Sequence, residues 1–76
     1  MIISEESFLT SLGIHIRQLR EKKNLSQQDL ATDCGIPKIQ VGRIERAEVN
    51  TTIRTLVKIA NALDVEPREL LNFSTK

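Results

Sequence analysis

The chain has 76 residues, 39% of them hydrophobic, with two phenylalanines as its only Phe, Tyr or Trp residues. A chain this short buries only about 60% of its unfolded surface, so a single domain over residues 1–76 is expected, marginally stable alone and poorly able to enclose a substrate pocket. The net charge of +1 argues against a nonspecific nucleic-acid packaging protein, and one cysteine excludes an internal disulfide and a multi-cysteine zinc site.

No stretch approaches the roughly 20 apolar residues of a membrane span, and the N-terminus lacks the basic-then-apolar layout of a signal peptide. A cytoplasmic location is expected. Apolar residues recur at spacings of three and four throughout, which predicts an all-helical chain. Leu9, Leu12, Ile16 and Leu19 form one stripe of a first helix, entered through Ser4 or Ser7 as cap, with Glu5 and Glu6 at its positive dipole end. Asn24 can supply a left-handed stop. Ser26 caps a second helix through about Cys34, with Asp29 completing an approximate capping box. Within it Ala31 falls where close helix packing excludes a larger side chain, Cys34 reads as a small core residue, and Gly35 falls in the turn, where a left-handed backbone costs glycine little.

Pro37 opens a third helix at its first position. Ile36, Val41 and Ile44 supply its apolar side. The opposite side carries Lys38, Ile39, Gln40, Gly42 and Arg43, of little use to a core and suited to base edges in a major groove. Lys38 can donate to guanine or to a phosphate, and Arg43 can make the bidentate guanine contact or a backbone one. Gln40 can read adenine. Ile39 either meets a thymine methyl or packs against the second helix, and Gly42 suits close approach of the groove.

Ala47–Thr51 lacks periodicity and reads as a loop. Thr52 caps a fourth helix that carries Ile53, Leu56, Ile59, Ala60 and Leu63 inward. Asn50, Thr51 and Thr52 can offer donors to a phosphate, as helix N-termini do, and Arg46 and Arg54 can add charge. A short fifth helix begins near Pro67, with Leu70 and Leu71 as lids on the core and Phe73 in a frayed or partner-engaged tail. The two phenylalanines, at opposite ends of the chain, are not expected to form an aromatic cluster that stacks single-stranded bases. His15, without a second histidine or nearby cysteine at metal spacing, reads as a surface residue, and no metal site or cofactor is expected. With no phosphate loop, zinc motif or nucleophile elbow, the chain reads as a non-enzyme.

The order of five helices and the phrases Leu19-Arg20, Leu25-Ser26-Gln27, Leu30-Ala31, Ile44-Glu45-Arg46 and Ile59-Ala60 resemble the lambda repressor and Cro type of helix-turn-helix domain over about residues 12–71. Residues 1–11 are then a short extension and 72–76 a tail. The resemblance implies a compact five-helix bundle with helices two and three as the helix-turn-helix. It further implies a regulator that binds double-stranded DNA as a homodimer on an inverted repeat. Stand-alone chains of this size also look like restriction-modification controllers and small antitoxins, so the alternative is a module that chiefly holds a partner protein such as a toxin.

By the same resemblance Arg20 and Glu45 match a buried ion pair joining the first and third helices, and Gln27 matches a phosphate-binding position whose neighbour here would be Lys38. A homodimer surface is expected mainly in the C-terminal part, at Val65, Leu71 and Phe73, with Val49 in the loop before the fourth helix as an addition and Leu70 closing the core. Two positions depart from the family pattern. Pro37 replaces the usual Ser or Thr, and Ala47 replaces a glycine at the end of the third helix, where the chain either turns left-handed or runs on toward Glu48.

Overall fold

In a computed structural model that describes residues 2–75, the chain forms α1 (Glu5–Lys22), α2 (Gln27–Cys34), α3 (Lys38–Glu45) and α4 (Ile53–Leu63), followed by a 3₁₀ segment (Pro67–Leu71). Met1 and Lys76, the outermost residues of the expected domain, lie outside the described residues. The expected fifth helix is therefore a 3₁₀ turn. Pro67 brings no N–H, and the Glu69 amide reaches only three residues back, to the Glu66 carbonyl at 2.8 Å, the spacing short segments adopt. No strand occurs among the described residues.

Three helices start on side-chain caps, each of a kind worth about 1 kcal/mol. Ser4 accepts from the Ser7 amide at 3.0 Å, so Ser7 is the donor and not the cap. Ser26 and Asp29 close a reciprocal capping box at 3.0 and 2.9 Å, and the Ser26 amide holds the Asp29 carboxyl below its ordinary range. Thr52 accepts from Thr55 at 3.2 Å. α3 lacks such a cap: Pro37 stands one position earlier than expected, extended at ψ 144°, and its carbonyl accepts from the Gln40 amide at 3.0 Å.

All four helices stop alike. Asn24, Gly35, Ala47 and Asp64 take left-handed φ of 58°, 70°, 60° and 56°. The following amide in each case returns to a carbonyl five residues back: Leu25 to Arg20, Ile36 to Ala31, Glu48 to Arg43 and Val65 to Ala60, at 3.2, 3.1, 2.8 and 3.0 Å. Gly35 meets this geometry freely. Ala47 meets it at a steric cost of about 1–2 kcal/mol, which resolves its alternative: α3 ends before Ala47 and does not run on.

The core gathers Leu12 and Ile16 of α1, Leu30, Ala31 and Cys34 of α2, Val41 and Ile44 of α3, Ile59, Ala60 and Leu63 of α4, and Leu70. α2 packs between α3 and α4, while α1 packs on α3 and on the 3₁₀ segment. Ile53, expected inward, is 74% exposed. With Val57 four residues on, it lies on the shoulder of the α4 stripe, beyond what neighbouring elements cover. Leu71, expected as a lid, is 47% exposed, because adjacent residues of a tight turn point different ways and Leu70 takes the inward one.

Gly13 sets how closely α1 approaches α3. A β-carbon there would sit 2.5 and 2.6 Å from the carbonyl oxygens of Glu45 and Ile44, inside any real contact distance. The tail is tied down rather than frayed. The Phe73 ring lies 5.2 Å from Phe8 and 5.7 Å from His15, centroid to centroid, and His15 Nε2 lies 2.6 Å from the Glu69 carbonyl oxygen. The phenylalanines at opposite ends thus do pair, and His15, expected on the surface, is half-buried as the strut between α1 and the C-terminal segment.

Candidate nucleic-acid interface

α3 has eight residues, so it is about 12 Å long, close to the width of a B-DNA major groove. Val41, Ile44 and Glu45 face inward, leaving Lys38, Ile39 and Arg43 exposed and Gln40 half-buried. Ile39 is 61% exposed, so packing against α2 does not account for it. Beside this face the α3–α4 loop rises to form one concavity of about 330 Å³, lined by Pro37, Ile39, Gln40, Arg43, Val49, Asn50, Thr51, Thr52 and Thr55. The structure thus joins the expected base-reading residues Ile39, Gln40 and Arg43 to the expected backbone-contacting residues Asn50, Thr51 and Thr52. Lys38 and Arg54, exposed at the first turns of α3 and α4, and Gln27 and Arg46 do not line it.

Three of these residues behave differently from expectation. The Thr51 hydroxyl is buried without a hydrogen-bond partner, so it is not presented outward. Gln27 does not turn to Lys38: its Nε2 donates to Glu45 Oε1 at 3.0 Å, because the carboxylate there has acceptor capacity to spare. Gly42 is not open to the groove. The Arg46 guanidinium lies over it, with Nη1 2.8 Å from where a β-carbon would be.

Beneath the surface a bidentate ion pair fixes the angle of α3. Arg20 Nε and Nη2 donate to Glu45 Oε2 and Oε1 at 2.7 and 3.0 Å, and Arg20 Nη1 donates to the Leu25 carbonyl at 2.8 Å. Both residues are 8% exposed. The hydrogen bond to Glu45 holds the Arg20 guanidinium above its ordinary pKa against the pull of burial. With Gln27 on the same carboxylate, α1, α2 and α3 meet at one group.

The sequence reading missed Gly13 and Glu48. Gly13 had a signal, a glycine inside an otherwise strong helical stripe, which marks close approach of a neighbour. Glu48 had none, because its partner is set by how the chain turns at Ala47. Arg46 Nε donates to Glu48 Oε2 at 2.8 Å and Nη2 to Oε1 at 3.3 Å, and the Arg46 hydrogen bond holds the Glu48 carboxyl below its ordinary range.

A family model described as helix-turn-helix matches residues 16–70, which takes in α2, the turn and α3. The chain belongs to the helix-turn-helix family. Within it the match is to regulators of the Cro/C1 type. The control protein C.BamHI of Bacillus amyloliquefaciens is 39% identical over 64 residues, 83% of this chain and 79% of that protein. The crystal structure of the restriction-modification controller C.AhdI from Aeromonas hydrophila superposes with a TM-score of 0.81 at 44% identity, covering 82% of this chain and 94% of that one. The biofilm master regulator SinR, solved in complex with DNA, gives a TM-score of 0.76 at 35% identity, covering 80% of this helix-turn-helix protein and 98% of that chain. No described helix is long and apolar enough to cross a membrane.

Proposed function

We propose that this protein is a sequence-specific double-stranded DNA-binding transcriptional regulator that lays α3 in the major groove of an inverted-repeat operator. The observation that carries this reading is the shared concavity, in which side chains able to read bases stand beside a loop and helix start able to hold a phosphate. Lys38, Ile39, Gln40 and Arg43 read bases. Asn50, Thr52, Arg54 and Arg46 hold the backbone, Thr51 contributes through its amide, and Gln27 acts by orienting α3 through Glu45. The similar SinR, solved in complex with DNA, supports the DNA-binding reading.

A half-site read by one eight-residue helix calls for doubling, and a two-fold axis with recognition helices about 34 Å apart supplies it. Val49, Val65 and Phe73 are partly spent on this subunit's own core. Leu71 remains available, joined by Ile53 and Val57 on α4. Light scattering at micromolar concentration should give a dimer that Val57→Asp weakens; a strictly monomeric parent would defeat the dimer.

Selection of bound duplexes from a random pool should return a pseudo-palindrome. Arg43→Ala should then cost about 1–3 kcal/mol of binding and relax preference at one base pair per half-site. Failure to select any site at low salt would overturn the regulator reading and favour a module that holds a partner protein.

A further inference from the structure

We propose that Glu48 is an internal stand-in for a DNA phosphate: it holds Arg46 in the DNA-free protein and thereby sets the strength of the interface. The inference rests on the DNA-binding reading above and names a residue that reading leaves unused.

The first support is geometric. Glu48 takes two hydrogen bonds from Arg46, at 2.8 and 3.3 Å, the paired arrangement an arginine fork also makes with a phosphate. The second is the seat of the guanidinium. Arg46 lies four residues after Gly42 and three after Arg43, so it rises on the outward side of α3, and it fills the notch left by the missing side chain of Gly42. A glycine inside a helix costs about 1 kcal/mol against alanine, and the notch gives that cost a purpose.

The third support is electrostatic. Arg43, on the face that would enter the groove, also acts on the Glu48 carboxyl, so the acid stands within the field of both outward arginines. The Arg46 and Glu48 side chains are 55% and 50% exposed, which makes the pair exchangeable in water. To grip a phosphate, Arg46 must give up a carboxylate and leave it beside the polyanion. Free Arg46 would bind more tightly and with steeper salt dependence; the held one tempers both.

The test is fluorescence anisotropy on the selected duplex across a salt series, with the parent, Glu48→Gln, Arg46→Ala and the double variant, each checked by thermal melting. Glu48→Gln should tighten binding about fivefold near physiological salt and steepen the salt dependence by up to about one unit of log–log slope, with the preferred site unchanged. In the Arg46→Ala background the same change should alter affinity by less than about twofold. A folded Glu48→Gln protein that binds no more tightly than the parent overturns the inference, and so does an equal gain with or without Arg46. If the parent itself binds no duplex, the regulator reading fails and takes this one with it; a parent that binds while Glu48→Gln gains nothing refutes the role of Glu48 alone.

Discussion

Glu45 and Arg46 are neighbours in the chain, yet each belongs to a different arginine–glutamate pair, and the two pairs do opposite work. Arg20–Glu45 is shielded from solvent, bidentate, and shared with Gln27 and the Leu25 carbonyl. Arg46–Glu48 is half in water, and among the described residues its side chains make no further hydrogen bond. The same chemistry therefore gives a structural joint in one case and a replaceable contact in the other. What decides is whether water can take over when the pair opens.

The sharpest way to break this comparison is to remove one acid from each pair. Glu45→Ala leaves the Arg20 charge buried without its partner and should destabilise the fold by about 3–5 kcal/mol in denaturant unfolding. Glu48→Ala should leave the unfolding midpoint where it was. Equal losses would show that burial is not what separates the two.

The glycines beneath the pairs extend the contrast. Gly13 faces the backbone carbonyls of Ile44 and Glu45, which cannot step aside, whereas Gly42 faces the flexible end of Arg46. Gly13→Ala should cost about 1–3 kcal/mol by prising α1 from α3. Gly42→Ala should instead stabilise by up to about 1 kcal/mol as the guanidinium swings away. A smaller effect is expected where the two pairs diverge. Ala47→Gly relieves the left-handed strain that turns Glu48 back toward Arg46 and, after the added freedom of the unfolded chain, should raise stability by about 0.5 kcal/mol in the same unfolding assay. If it lowers stability, the extra freedom that glycine gives the unfolded chain outweighs the strain relieved at Ala47.

Much of this architecture was legible in the residues. The caps at Ser26 and Thr52, the stops at Asn24 and Gly35, the loop after Arg46 and the Arg20–Glu45 pair follow from local stereochemistry or from the helix-turn-helix resemblance. Ile53 departs from the inward expectation because apolar spacing marks a stripe but not the width its neighbours cover. Pro37 and the 3₁₀ segment differ by a position or by a helix type, which short elements do not specify. The Phe8–Phe73 contact and the bond between His15 and the Glu69 carbonyl join residues far apart in the chain, where periodicity carries no information. At the candidate interface, side-chain type separated the exposed face of α3 from its buried one, but the buried Thr51 hydroxyl and the turn of Gln27 toward Glu45 depend on packing.

The strut between His15 and Glu69 also bears on the order in which the molecule assembles. α1 to α4 follow one another through short connections, whereas this bond and the Phe8–Phe73 contact beside it join opposite ends of the chain and so meet a larger loop-closure cost. The C-terminal segment is then expected to join α1 late in folding and to be the first to lift from it in the native state. In native-state hydrogen exchange its amides, from Glu69 to Phe73, should exchange through that partial opening, while those of α2 and α3 should wait for the whole domain to unfold.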